Sequence, residues 1–505
     1  MLILDKAKWY DGADVVVVGY GGGGGVAAVA AHDAGADVLI LEKQPADTHV
    51  NSTTTAGGMF ISPPDARETE DYLRAMANVD KDMFWTDPEI IKVWAEYSCQ
   101  NKAWVEKMGG KVTLASGLVG LHREIPGYEH IRAYGFSGGG RGFMAFFKKL
   151  ASERKIKTLY GIKARRLITN QQGEVIGVTA QKEDGAEINI KAARAVILAS
   201  GGFEFNETMK LQFLRCYPLH FTGSVASTGD GVRMAMGVGA DLWHMNCVTA
   251  SFAMKFPEVP VAIRAQLRPG EREEGTHDNE RFADTRTIKP VCGYIVVDKN
   301  GRRFTNENFK EHHISYELAM YDSRSLSFPR IPAYWIMDQR RIEDSPLARA
   351  GGGAANFYKW SRDNKTELAK GWISSADDIN ELGRKLGIEA GNLVKTIRDY
   401  NSYCHNGTDP EFRRRPQSLI PLDTPPYYAV KLWPGGSATQ GGPRRNHKAQ
   451  VIGVEGNPIP GLYASGELGS VIGMLYTGAA NLAECISFGR IAGEYAAREK
   501  SRSIT

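Results

Sequence analysis

Four β-branched residues, Val15 to Val18, run straight into Gly19-Tyr-Gly21-Gly-Gly-Gly24-Gly. A short apolar run of this kind suits a buried strand, and that many glycines cannot continue it. Val26 to Ala34 is alanine-rich and helical in character, and Val38 to Leu41 is a second apolar run that ends on Glu42 and Lys43. Strand, glycine turn, helix and strand make one βαβ unit, so the N-terminal part is predicted to be α/β with a parallel sheet. Gly19, Gly21 and Gly24 carry the GxGxxG spacing, which serves a tight turn, close approach to a pyrophosphate and close helix-to-strand packing. The phosphates would meet the amides and dipole of the helix N-terminus, and Glu42 stands where an acid accepts hydrogen bonds from a ribose. A purely structural glycine turn is the competing reading, and the helix, second strand and acid weigh against it.

A chain of 505 residues suits two or three domains. Its net charge is only +4, and the one basic run, Arg413-Arg414-Arg415, reads as a solvated loop, so nucleic acid is not an expected partner. The six cysteines are scattered without a CxxC or CxxCH pattern. That argues against a disulfide framework, an iron–sulfur ligand set or an attached haem, and for a reducing compartment. The N-terminus is charged where a signal peptide is apolar, and no run reaches membrane-spanning length. The expectation is a soluble, cytoplasmic protein without a metal site.

Further along, Asn51-Ser52-Thr53-Thr54-Thr55-Ala56-Gly57-Gly58 mixes hydroxyls with glycines that let backbone run close to a planar ring. Residues 66 to 110 read as amphipathic helices, 112 to 142 as loop, and Phe143 to Arg154 as a helix. Short strands broken by Gly173 and Gly185 return to a buried strand ending at Gly201-Gly202, and Thr228-Gly-Asp230 opens a helix that Asp230 could cap or place at a cofactor. From about Asn279 charge and aromatics increase. Gly293 to Glu307 reads as a hairpin turning at Asn300-Gly301, with helices near Ile314 to Tyr321 and Ala376 to Cys404. The predicted layout is one domain built from 1–278 and 431–505, interrupted by a cap at 279–430. Gly461-Leu-Tyr-Ala-Ser-Gly-Glu467 is a strand entering a glycine turn, and the helix after Gly478 could stabilise negative charge on a reduced ring.

Taken with Gly301-Arg-Arg-Phe-Thr-Asn-Glu307, these motifs resemble, in order and over nearly the whole chain, the fumarate reductase and 3-ketosteroid dehydrogenase flavoprotein superfamily. The resemblance implies an FAD-binding domain of the Rossmann, glutathione-reductase-like type with an inserted α+β cap. It places FAD on Gly19, Gly21, Gly24, Glu42, Lys43, Ser52, Thr53, Thr54, Gly57, Gly58, Gly201, Asp230, Glu467, Asn481 and Leu482, with Glu42 at the adenosine ribose and Glu467 at the ribityl chain. Relatives with covalent flavin carry a histidine where this chain has Asn51, with His49 two residues off, so the implied flavin is non-covalent.

Fumarate reductases hold a dicarboxylate with arginines and histidines. At three such positions this chain has Pro290, Ala438 and Tyr476, although Arg286, His312 and His313 stand near the first. The ketosteroid branch fits better. There Tyr476 resembles the tyrosine that hydrogen-bonds the substrate ketone, Gly478 the backbone beside it, and Tyr316 the base that removes the α-proton, with Tyr321 as its alternative. Tyr134 or Tyr128 would assist the base. The implied function is FAD-dependent α,β-desaturation of a cyclic ketone, a 3-ketosteroid or an oxocyclohexane carboxylate, with electrons passing to an acceptor or oxygen. The rivals are an ene-reductase of the fumarate reductase type and a flavoprotein subunit that hands electrons to another chain. Monomer and homo-oligomer are equally open.

Overall fold

The computed structural model describes residues 8–77, 85–115, 122, 125–267, 292–308, 314–348 and 356–502. They form two compact units, one of Met1–Leu214, Ser224–Val248 and Ala438–Thr505, the other of Arg215–Gly223 and Thr249–Ser437.

The first unit is built on the βαβ start. β1 (Trp9–Val18) leads through the glycine turn into α1 (Gly22–Asp33) and then β2 (Val38–Leu41). β1 runs parallel to β2, with Val15 opposite Val38 and Val18 opposite Leu41, and on its other edge parallel to Glu187–Leu198. The main sheet follows the order Gln450–Ile452, Pro458–Ala464, Glu187–Leu198, β1, β2, Lys157–Leu159. α1 starts earlier than Val26 because Gly22 to Gly25 already lie within the helix. It is buried from Gly22 to Ala31, as a helix with small apolar residues all round must be. The closing helix Ala480–Arg498 lies against it so tightly that a Cβ on Gly489 would sit 2.7 Å from Val26 and one on Gly493 2.5 Å from the Ala27 carbonyl.

Strands Lys163–Thr169, Val175–Gln181 and Glu187–Leu198 form the antiparallel excursion expected from the sequence. Gly173 and Gly185 turn it, both with positive φ. The amphipathic stretch becomes Ala66–Ala77 and Pro88–Lys107, the latter started by an Asp87 cap and a first-turn proline. The stretch 112–142 is more ordered than a loop, because Ala133–Phe136 pairs with both Met59–Ile61 and Val112–Leu114. Strands this short leave no periodicity to read. The following helix begins at Gly139, after a left-handed Gly138.

The second unit holds a seven-stranded sheet in the order Ile263–Arg264, Val248–Met254, Tyr427–Thr439, Ala333–Asp338, Tyr294–Val297, with His220–Phe221 and Ser374–Ala376 also pairing with Tyr427–Thr439. Helices Ile379–Leu386, capped by Asp378, and Ala390–Asn406 bury Leu382, Leu393 and Ile397 with Ile295, Val297 and Ile336. Its limits differ from 279 and 430, because segments 215–223 and 249–254 give strands to this sheet; residue 279 itself lies outside the described residues.

The expected hairpin does not form. Tyr294–Val297 pairs as a strand with Ala333–Asp338, and its ladder to the residues after the turn is a single Val297–Arg303 bridge, with the Val296 amide and the Tyr294 hydroxyl donating to Glu307. Those residues carry a buried ion network instead. Arg303 donates to both Glu307 oxygens at 2.9 and 2.8 Å and to Asp409 at 2.9 Å, while Arg414 approaches Glu307 at 3.3 Å.

Candidate active site

A groove of about 760 Å³ runs along the carboxyl ends of β1 and β2 in the first unit. This is where parallel sheets present ligands. Its floor is the glycine turn, and each motif glycine has its own reason. Gly19 has φ +103°, and a Cβ there would lie 2.6 Å from the Ala199 carbonyl. A Cβ on Gly24 would be 2.0 Å from the Gly19 carbonyl, so this residue sets how closely α1 joins its strand. Gly21 has nothing within 4 Å of a Cβ and opens onto the groove.

At one end stands Glu42, buried. It accepts from the Tyr20 amide at 2.9 Å and the Gln44 amide at 2.8 Å, with His49 at 3.5 Å. Burial alone would raise its pKa, but His49 and these amides hold the carboxyl below its ordinary value. Lys43 donates to Asp230 at 2.7 Å and to Thr228 at 2.9 Å. Burial of Asp230 opposes ionisation, yet Lys43, Lys163 and Arg233 bring its pKa down to about 2. Asp230 is therefore an ion-pair partner, and its helix is capped by the left-handed Gly229 without a side-chain bond.

Of the residues expected to hold a cofactor, Gly19, Gly21, Glu42, Lys43, Ser52, Thr53, Gly201, Asp230 and Glu467 line the groove. The others do local structural work. Thr54 closes a capping box with Asn51. Gly58 packs on the Gly139 backbone, where a Cβ would lie 2.1 Å from its carbonyl carbon, with Gly57 beside it. Asn481 and Leu482 lie in the first turn of the closing helix, after a left-handed Ala479. Thr53 also accepts from the Gly22 amide at 3.0 Å and so pins the glycine turn.

Sequence reading missed Ile162-Lys163-Ala164, Ser224, Ser227 and Cys485 on the groove wall. Only contacts distant along the chain bring them there. His49 turns to Glu42 with a fully buried side chain, whereas Asn51 is on the groove.

Tyr476 is half-buried in the first unit and packs on its core, and Gly478 is buried in the turn before the closing helix. Ala438 is buried at the end of Tyr427–Thr439. Tyr316 belongs to the second unit, half-buried on the short helix Ile314–Leu318, with the Arg215 guanidinium over its ring at 4.9 Å. Tyr321 is exposed, and Tyr128 and Tyr134 pack on the first unit's core. Arg286, Pro290, His312 and His313 lie outside the described residues. Among the described residues no helix is long and apolar enough to cross a membrane.

The groove fits FAD. Gly21 leaves space above helix-terminal amides, and Ser200 Oγ and Ser465 Oγ are buried polar atoms on its lining without a protein partner. A family model described as an FAD binding domain matches residues 14–482. The chain is 29% identical over 500 residues to the probable fumarate reductase Ifc3 of Shewanella frigidimarina, covering 96% of this chain and 74% of that one. It is 26% identical over 582 residues to the 3-oxosteroid 1-dehydrogenase of Mycolicibacterium smegmatis, covering 95% and 96%. The fold matches the 3-ketosteroid delta1-dehydrogenase of Sterolibacterium denitrificans with a TM-score of 0.80 at 21% identity, over 97% of this chain and 100% of that one. The chain belongs to the FAD binding domain family, and it is an FAD-dependent oxidoreductase.

Proposed function

We propose that this oxidoreductase desaturates a cyclic ketone between its α and β carbons, the substrate being a 3-ketosteroid or a smaller oxocyclohexane carboxylate. The observation that carries the reading is Tyr476, a neutral phenol at the position where dicarboxylate reductases have a guanidinium, on the segment that leads into the closing helix. A phenol hydroxyl suits a carbonyl oxygen, and the apolar packing around Tyr476 suits a ring better than a diacid.

Gly19, Gly21 and Gly24 form the pyrophosphate seat, Glu42 takes the adenosine ribose and Glu467 the ribityl chain. Lys43 and Asp230, as an ion pair, fix the wall between them, and Ser52, Thr53 and Gly201 complete it. Thr54, Gly57 and Gly58 hold the adjoining turn, and Asn481 and Leu482 lie at the helix terminus that would face the ring. The flavin is non-covalent, in keeping with Asn51 on the groove and His49 turned away from it.

Bound FAD supplies the hydride acceptor. Tyr476 donates a hydrogen bond to the ketone oxygen, and the backbone at Gly478 adds a second donor, so the enolate character that develops there is stabilised. Tyr316 takes the α-proton as general base. The second unit, which carries Tyr316, is the catalytic cap. All six cysteines are reduced thiols, which suits a reducing, cytoplasmic setting.

The reverse reaction, reduction of an enone or enoate, is supported by the 29% identity to a probable fumarate reductase and to a urocanate reductase. Anaerobic mixing of the oxidised protein with androstenedione or 4-oxocyclohexanecarboxylate separates the two. Bleaching of the flavin, and turnover with an artificial acceptor, support desaturation. An unbleached flavin with every saturated ketone, together with oxidation of the reduced protein by an enoate, overturns it.

A further inference from the structure

Two carboxyl groups meet under the wall of the cofactor groove. Glu204, 1% exposed, follows Gly201-Gly202 on the loop after Glu187–Leu198. Its Oε1 accepts from the Thr439 amide at 2.7 Å and from the Thr439 hydroxyl at 2.9 Å. The same hydroxyl accepts from the Phe203 amide at 3.1 Å. A Cβ on Gly202 would stand 2.0 Å from that hydroxyl and 2.5 Å from Glu204 Oε1, so the glycine is what admits the arrangement.

The other oxygen, Glu204 Oε2, is buried and meets no donor, and Glu467 Oε1 is likewise buried without one. The two carboxyls are hydrogen-bonding neighbours of each other. Two carboxylate oxygens in that position repel as anions and attract only with a proton between them. Among the described residues, the other side chains bonded to the pair, Thr439 and Ser52, are neutral. Around Glu467 stand Ser52, whose hydroxyl bonds to it, and the Cys485 thiol, which burial pushes up to about 12. The nearest guanidinium, Arg445, is committed to Glu484 and to the carbonyls of Ala464 and Gly466.

We propose that Glu204 is a positioning residue for cofactor binding: it shares a single proton with Glu467, which ties the inner oxygen of Glu467 to the wall and turns its outer oxygen to the cofactor. The inference rests on Glu467 as an FAD ligand and is independent of the reaction catalysed. Oε2 of Glu467 already lies on the Gly201 side of the groove, 4.0 Å from where a Cβ on Gly201 would be. Both carboxyls have pKa values raised by burial, and their mutual contact raises that of Glu467 further. With one proton between its two inner oxygens the pair carries a single negative charge. As pH rises past the shared value the proton leaves, the two anions push apart, and the seat for FAD is lost.

The test is FAD affinity of the apoprotein between about pH 5 and 9, by flavin fluorescence, for the wild type, Glu204→Gln, Glu204→Ala and Glu467→Gln. Wild-type affinity is expected to hold at low pH and to fall by ~10-fold for each unit above the shared value. Glu204→Gln donates without titrating, so it is expected to bind within a few-fold of wild type at neutral pH and to show a flat profile. Glu204→Ala is expected to bind weakly throughout. Infrared difference spectra should show a deuterium-sensitive protonated-carboxyl band in the wild type that is absent from Glu204→Gln. A Glu204→Gln profile that parallels the wild type, or the absence of that band, overturns the shared proton. Unchanged FAD affinity in Glu467→Gln overturns the cofactor role alone.

Discussion

The guanidinium of Arg215 lies 4.9 Å from the centre of the Tyr316 ring, a cation on the face of the residue assigned as base. Both residues belong to the second unit, so the contact is internal to it. A positive charge there favours a phenolate over a phenol, which a proton-abstracting tyrosine needs near neutral pH. It is a form of assistance other than the second tyrosine hydroxyl expected from Tyr128 or Tyr134. Arg215→Met should cut turnover by about 10-fold and move the ascending, acid-side limb of the pH–rate profile to higher pH. A reduced rate with an unmoved profile would assign Arg215 to packing only.

Tyr476→Phe removes a hydroxyl and nothing else. Turnover should fall by about 10²-fold or more, with flavin content and melting temperature at wild-type values, because a donor to the developing enolate acts on the transition state. Near-normal turnover takes Tyr476 out of the mechanism.

Two glycines of the chain's main motif, Gly21 and Gly24, should fail in different ways. Gly24→Ala places a methyl 2.0 Å from the Gly19 carbonyl and should cost about 1–3 kcal/mol, seen as a lower melting temperature of the apoprotein. Gly21→Ala meets no atom within 4 Å and has φ −87°, open to any residue. It should leave the apoprotein's melting temperature alone and lower the flavin-to-protein ratio.

The Lys43–Asp230 pair gives an acid-side signature. The carboxyl has a pKa near 2 when folded against an ordinary 3.8, so the folded state gains from its ionisation. That gain is complete above about pH 4 and disappears as pH falls through 2. Asp230→Asn should lower stability by about 2 kcal/mol at neutral pH, since the carboxylate is only 11% exposed. Urea midpoints of variant and wild type should converge between about pH 4 and pH 2.

Local pattern carried the reading of the first unit a long way. Val15 to Val18, Gly19 to Gly24 and Val38 to Leu41 are neighbours both in sequence and in space, so their chemistry shows in a single stretch. The excursion bent at Gly173 and Gly185 was legible for the same reason. The hairpin at Asn300-Gly301 misled, because the turn chemistry was present but Arg303 is bound to both Glu307 and Asp409. Nothing local announces that Lys43 meets Asp230, that Ile162 to Ala164 line the groove, or that Glu204 meets Glu467. Such contacts depend on how distant strands are brought side by side.

Main chain rather than side chain draws much of the groove's outline, with Gly19 leaning on Ala199 and Gly23 on Gly466. Laboratory evolution toward a different nucleotide would find little room to adjust at those contacts, since any added carbon there collides with backbone. Retooling would have to pass through the few side chains free to vary, Glu42 and Lys43 first among them, while the scaffold that carries them stays as it is.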